Sequence, residues 1–163
     1  EILPRVAEAI RLLRGQGFLL VVVTNQSAVA RGRLTEEELG RIHDALNARL
    51  AQDGAHLDGI YYCPHHPTEG IGTYHAECDC RKPNTGMIVK AASDLGLDPS
   101  SSYVVGDQTS DMELADRIGA KGVRIASHLV AGGDSSAPKY PVVADLWQAA
   151  KWIIGDFKQS SGR

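Results

Sequence analysis

The sequence predicts an α/β domain built on a parallel sheet with helices on both faces. Three observations predict it. Apolar runs of strand length alternate with segments of helical period. The runs at 18–23 and 103–105 are apolar without alternation, the pattern of strands covered on both faces. Across 163 residues, 43% hydrophobic and 23% charged side chains suit one ordinary globular core. Residues 1–155 read as that domain and 156–163 as a C-terminal tail.

The elements follow in order. After Pro4, Val6, Ala9, Ile10 and Leu13 recur at helical spacing, and Gly15 and Gly17 end the helix. Phe18 to Val23 then reads as a strand buried on both faces, stopping at Thr24-Asn25-Gln26-Ser27. Thr35 followed by Glu36, Glu37 and Glu38 has the form of a capping box, and Leu39, Ile42, Leu46 and Leu50 supply a buried stripe down to about Gln52. Gly59 to Tyr62 is a short strand. The stretch from Cys63 to Pro83 has neither period and is too long for a plain connection, so it reads as a functional or metal-pinned loop.

Met87, Ile88, Ala91, Ala92 and Leu95 predict the next helix, Tyr103 to Val105 a buried strand ending at Gly106-Asp107, and Met112 to Ile118 another helix. A strand at Val123 to Ile125, a polar loop from Gly132 to Pro138, a strand at Val142-Val143 and a helix from Leu146 to Ile154 complete the domain, with Gln159 to Arg163 as a frayed end. No repeat or linker interrupts the chain.

The formal net charge is -3, from 17 Lys and Arg against 20 Asp and Glu, which excludes a global positive field for nucleic acid or an anionic membrane. No apolar run approaches the roughly 20 residues of a membrane span. The expectation is a soluble, cytoplasmic monomer that acts on a small molecule, with any phosphate contact made locally.

Cys63-Pro64-His65 and Cys78-Asp79-Cys80 offer three thiolates and an imidazole, the set that Zn²⁺ takes in a closed tetrahedral structural site. Three reduced thiols in a loop are the alternative, and His66 and His75 are substitute ligands ranked behind His65. The segment from Tyr103 to Asp111 delivers Asp107 at the C-terminal end of a strand, with a second carboxylate four residues on. Ligands of open α/β sheets bind at that edge, and hard oxygen donors suit Mg²⁺. A plain strand-to-helix turn with a Ser110–Glu113 capping box is the competing reading. Thr24 and Asn25 stand just past another strand, where hydroxyl, amide and backbone N–H groups suit phosphate oxygens. Arg81-Lys82 follows the last cysteine directly, so a metal knot would aim both cations with little entropy left to lose.

Taken in order, the Thr24 strand end, Lys82 and the Asp107–Asp111 pair resemble the second, third and fourth motifs of the haloacid dehalogenase phosphatases. Thr24-Asn25-Gln26-Ser27, Ala30-Arg31-Gly32, the run from Tyr61 to Pro67 and Cys78-Asp79-Cys80-Arg81-Lys82-Pro83 are similar, within that superfamily, to the D-glycero-D-manno-heptose 1,7-bisphosphate phosphatase family, from Glu1 to about Ile154. The resemblance implies a three-layer Rossmann-like fold with a zinc-stapled loop. It implies a phosphatase acting on the C7 phosphate through an aspartyl-phosphate intermediate, with catalytic Mg²⁺ and structural Zn²⁺.

Carried over by position, Thr24, Asn25, Gln26, Ser27, Arg31, Arg81 and Lys82 would bind substrate. Lys82 and Asp107 would be catalytic, and Asp107 and Asp111 would serve Mg²⁺. Cys63, His65, Cys78 and Cys80 would hold Zn²⁺. On this reading Lys82→Ala would lower turnover and leave the fold largely unchanged.

The family's first motif, an Asp-x-Asp on a central strand, occurs nowhere in the 163 residues. The expectation is therefore a longer natural protein whose extra strand lies between those leading to Thr24 and Asp107, and without which two strand edges are exposed. Gln108 stands where the family often has Lys, and Thr85 where Pro is common. Histidinol-phosphate phosphatase, whose zinc loop is generally shorter, is the nearest alternative, and a non-catalytic zinc-stapled pseudophosphatase is a second.

Overall fold

The computed structural model describes residues 2–126 and 139–161. The expected polar loop from Gly132 to Pro138 lies outside the described residues. Helix α1 (Val6–Gly15) leads to strand β1 (Val21–Asn25), a one-turn helix α2 (Ser27–Ala30) and the long helix α3 (Glu36–Gln52). Strand β2 (Gly59–Cys63) opens the loop to Pro83, which is followed by α4 (Gly86–Leu95), β3 (Tyr103–Gly106), α5 (Thr109–Ile118), β4 (Lys121–Ile125), β5 (Val142–Val143) and α6 (Leu146–Ser161). Every strand pairing is parallel: β1 with β2, β3 with β4, and β4 with β5. None of the helices is long and apolar enough to cross a membrane, among the described residues.

Local chemistry accounts for most boundaries. Thr35 caps α3, its hydroxyl accepting from Glu38 N–H at 3.1 Å while the Glu38 carboxylate accepts from Thr35 N–H at 2.8 Å, the reciprocal box read from the sequence. Gly96 and Gly119 close α4 and α5 in the left-handed conformation that glycine adopts without steric penalty. Asp58 ties the heads of the first two strands, accepting from Leu20 N–H at 2.7 Å and from Arg14 at 2.5 Å.

The main core lies between α1, α6 and the sheet, where Ala9, Leu13, Val123, Ala149, Ala150 and Ile153 are buried together. A second cluster of Ile10, Leu50 and Ala55 seats α1 against α3. Val123 faces α6, whereas a Cβ on the preceding Gly122 would meet Met112 of α5. Neighbouring strand residues point to opposite faces, so α5 and α6 cover opposite sides of the sheet.

The structure corrects several expectations. The strand read from Phe18 begins at Val21, and none of its five residues is fully buried. Leu19 is exposed, and β3, also read as buried, is only half-buried. The reason is pairing. Among the described residues, β1 has β2 on one side and β3 has β4 on one side, so each sheet has an unpaired edge; β4, flanked on both sides, buries Gly122 and Val123. In the α3 stripe, Leu39 and Leu50 are buried, but Ile42 is 52% exposed because its sector of the helix borders an open groove beside Ile2 and Leu3.

The short helix α2 was not expected, since four residues are too few to show a period. Finally, α6 continues to Ser161, through the segment read as a tail from 156. Phe157 packs edge-on against Phe18 at 5.1 Å, and Asp156 accepts from Tyr103 and Lys121, each at 2.6 Å, which anchors the extra turns.

Candidate active site and metal centre

Cys63 is the last residue of β2 and is fully buried; His65 follows two residues later, and Cys78 and Cys80 return from the far side of the loop. One donor atom from each lies within 4.8 Å of the other three. The sulfurs of Cys63, Cys78 and Cys80 are 3.0–3.5 Å apart, and His65 Nδ1 lies 3.8 Å from Cys63 and 3.4 Å from Cys80. Bonds of about 2.3 Å to sulfur and about 2.0 Å to nitrogen would span such donors around one tetrahedral ion.

Burial works against the Cys78 thiolate, but hydrogen bonds from Cys80, the Arg81 N–H and Cys63 outweigh it and hold its pKa below the usual thiol value. Burial pushes Cys63 and Cys80 up. The cluster thus favours one thiolate unaided, and a cation would be needed to ionise all three. His66 turns away, its Nδ1 accepting from the N–H groups of Thr68 and Glu69 at 3.3 and 3.0 Å.

The turn after Cys80 delivers Arg81 and Lys82. Gly86 N–H donates to Asp79 O at 2.8 Å, and a Cβ on Gly86 would sit 2.7 Å from that oxygen, so the loop can close onto α4 only over a glycine. The side chain of Asn25, at the end of β1, clamps the Lys82 backbone on both sides, accepting from Lys82 N–H at 2.9 Å and donating to Lys82 O at 3.1 Å.

The Lys82 ammonium then links β1 to α5. It donates to Val23 O of β1 at 2.8 Å and to Asp111 Oδ1 of α5 at 2.7 Å, with the two side chains only 13% and 7% exposed. Asp111 Oδ2 accepts from Gln108 N–H at 3.1 Å, a link that opens α5 in place of the Ser110–Glu113 box. A Cβ on Gly106 would lie 2.2 Å from Asp111 Oδ2, so β3 must end in glycine for the carboxylate to fit.

The residues named from the sequence therefore fall into distinct situations. Lys82 and Asp111 meet in an ion pair, while Thr24 lies near the end of β1 and Asp107 directly follows β3. Asp107 is exposed, and one of its oxygens accepts from the Gln108 amide at 3.2 Å. Asp111 is buried with both oxygens engaged, and the Asn25 amide is committed to the Lys82 backbone. Thr24 Oγ1 accepts from Gln26 Nε2 at 3.1 Å, which leaves the hydroxyl hydrogen free to donate.

Arg81 donates to His65 O at 2.9 Å and to Ser27 Oγ at 3.3 Å, joining the metal loop to α2. Arg31 pairs with Glu69 of the loop at an exposed site. Beside these residues lies a cleft of about 620 Å³, lined by Arg81, Lys82, Pro83, Cys78, Asp79 and Asn84.

Sequence reasoning missed the supports. Asn84 donates to Cys78 O at 2.8 Å and accepts from Arg117 at 2.7 Å, and Glu36 accepts from Tyr62 and Tyr74. None carries a periodic signal, and all but the Asn84–Cys78 bond join residues at least 26 apart in the chain. Only the acidic cluster at the start of α3 drew notice, as a helix terminus.

Comparison with known proteins gives a consistent picture. Residues 79–149 match a family described as "HAD-hyrolase-like". The D-glycero-beta-D-manno-heptose-1,7-bisphosphate 7-phosphatase of Haemophilus ducreyi is 43% identical over 141 residues, 84% of this chain and 77% of that protein. The enzyme of the same name from Yersinia pestis is 42% identical over 156 residues, covering 94% and 77%. Among solved structures, D,D-heptose 1,7-bisphosphate phosphatase from B. bronchiseptica, complexed with magnesium and phosphate, superposes with a TM-score of 0.77. It is 32% identical, over 94% of this chain and 84% of that one.

Proposed function

This chain belongs to the heptose-1,7-bisphosphate 7-phosphatase family of HAD-like hydrolases, and on that premise we propose that it removes the C7 phosphate from D-glycero-D-manno-heptose 1,7-bisphosphate. One observation carries the reading. Lys82, delivered by a Cys₃His knot, is fixed between Val23 O and Asp111 Oδ1, across the two strand ends where a phosphoryl group would sit.

Phosphoryl transfer is chiefly a matter of position and charge. Two of the three Lys82 N–H donors are engaged, and the third is left for a phosphoryl oxygen or the attacking carboxylate. The Thr24 hydroxyl donates to a second phosphoryl oxygen. Asp111, read from the sequence as a Mg²⁺ residue, instead acts through Lys82 and holds its charge in place, because both of its oxygens already accept hydrogen bonds. Arg81, with its remaining N–H groups beside the cleft, faces the sugar's other phosphate, and Gln26, Ser27 and Arg31, in and around α2, bind the substrate from the β1 side.

Asp107, exposed at the end of β3, is the carboxylate for Mg²⁺, which when bound neutralises charge on the phosphoryl oxygens. The donors and spacing of the Cys₃His cluster suit Zn²⁺ as a structural staple. The family's attacking carboxylate belongs to an Asp-x-Asp strand, and the unpaired edges of β1 and β3 are where such a strand would pair. There one Asp would attack phosphorus while the second protonates the departing C7 oxygen, and water would then release phosphate. The setting we assign is that of a cytoplasmic monomer working on a small sugar phosphate.

Phosphate release is the test, with protein that carries the Asp-x-Asp strand and with heptose 1,7-bisphosphate and histidinol phosphate offered separately. A higher kcat/KM for the heptose is expected. Preference for histidinol phosphate would overturn the substrate assignment, and no turnover of either would favour a pseudophosphatase.

A further inference from the structure

Glu36 sits at the first position of α3, on the surface, yet its carboxylate is the meeting point of three stretches of chain. Oε2 accepts from the Tyr62 hydroxyl at 2.6 Å, and Oε1 accepts from the Tyr74 hydroxyl at 2.8 Å. Tyr62 immediately precedes the metal donor Cys63 on β2. Tyr74 ends the 3₁₀ turn Gly72–Tyr74, in the middle of the metal loop.

From Tyr74 the contact continues toward the metal donors. Its carbonyl accepts from His66 N–H at 2.9 Å, and its ring centroid lies 6.3 Å from that of His65. The two hydroxyls hold the Glu36 carboxyl below the usual carboxylate range.

The lobe between the paired donors has little else to hold it. Thr68, Glu69, Ile71, Gly72, Thr73, His75 and Glu77 are exposed, and no residue from Pro64 to Glu77 is buried. With so little apolar burial, specific polar contacts must fix the lobe. Its other ties are the Arg31–Glu69 pair and the bond from Ile71 N–H to Ala30 O at 2.8 Å.

A helix N-terminus attracts acidic side chains for reasons unrelated to any site. In this helix, however, Glu38 closes the capping box and Glu37 pairs with Arg41 one turn on. Among these three acids, Glu36 is the one that reaches away from the helix.

We infer that Glu36 is a positioning residue for the metal centre, a carboxylate latch that holds the 66–77 lobe against α3 and keeps Cys63 and His65 in register with Cys78 and Cys80. The inference rests on the metal reading of that cluster. Opening the latch would free the lobe and let His65 and its neighbours drift out of register, weakening the hold of the four donors on a Zn²⁺ ion.

The test is zinc release from loaded protein into excess chelator, with hydrogen exchange followed over residues 66–77. Glu36→Gln and Tyr74→Phe should each release zinc about five- to tenfold faster, the scale of losing a charge-assisted bond that orients a ligand. The double variant should be no faster than the quicker single one, because both remove the same contact. Glu37→Gln, which alters the helix terminus equally, should stay within about twofold of the parent. Tyr74→Phe removes one oxygen from a half-exposed ring, so it remains informative if Glu36→Gln folds poorly. Unchanged release in both variants, or equal acceleration in Glu37→Gln, would overturn the latch alone. Parent protein that holds no stoichiometric zinc would overturn the metal reading with it.

Discussion

The metal loop and the strand-end site are neighbours built on different principles. In the loop, Cys63 with His65 and Cys78 with Cys80 come as two close pairs from one stretch of chain, and donor chemistry alone nominates an ion. At the strand ends, Val23, Lys82 and Asp111 come from three distant segments, and the central ion pair is already satisfied within the protein. On the zinc reading, a bound ion would hold the loop, whereas the strand ends are held by charge buried at folding. The two meet in Arg81-Lys82, so fixing the first aims the second.

Removing a metal donor should separate them most sharply. Cys78→Ser is expected to lower zinc affinity by at least about a hundredfold and to loosen the loop, because structural zinc binding is itself folding free energy. Metal content after dialysis, with hydrogen exchange in the loop, measures this, and stoichiometric zinc with full activity would count against the staple. Next in size is the buried ion pair. Asp111→Asn strands the Lys82 ammonium at 13% exposure, and Lys82→Ala strands the Asp111 carboxylate at 7%. Each should cost about 3 kcal/mol in urea unfolding. This corrects the expectation that Lys82→Ala leaves the fold largely unchanged, since the partner it abandons is buried; stability within error of the parent would show the pair to be dispensable.

Acid should act on a third region, the heads of β1 and β2. Burial alone would raise the Asp58 carboxyl, but bonds from Arg14 and Leu20 N–H outweigh it and depress its folded pKa. Its contribution is therefore fully present above the unfolded value of about 4 and is lost as pH falls through the lower folded value. Urea midpoints measured downward from pH 6 should decline less steeply in Asp58→Asn than in the parent, and parallel curves would assign the acid response elsewhere. The smallest effect on folding belongs to Asp107→Asn. As an exposed carboxylate bonded only to Gln108, it should change stability by less than about 0.5 kcal/mol while abolishing Mg²⁺-dependent turnover in protein carrying the Asp-x-Asp strand. Normal turnover would remove it from the metal site.

Much of the scaffold was legible because its signals are local. The Thr35–Glu38 box, the helices around Met87 and Met112 and the parallel strands were readable from spacing of a few residues. The exposure of β1 was not, because burial depends on a neighbouring strand rather than on the apolar run itself. The last turns of α6 were misread for a similar reason, since Phe157 and Asp156 look like tail residues until Phe18, Tyr103 and Lys121 are placed beside them.

By itself the sequence determined the alternation of strands and helices, the pairing of Cys63 with His65 and of Cys78 with Cys80, and the resemblance carried by Thr24, Lys82 and Asp107 in order. The first two depend on residue type and short spacing, which propensity and ligand chemistry act on directly; the third rests on family resemblance. Tertiary structure alone decided the role of each polar group: Asn25 as a clamp on Lys82, Asp111 as its buried counter-charge, Asp107 as the exposed carboxylate and Glu36 as the anchor of two tyrosines. Those partners lie up to 57 residues apart in the chain. Only the packed sheet and helices bring them within hydrogen-bonding distance, where the geometry of donor and acceptor fixes which pairs form.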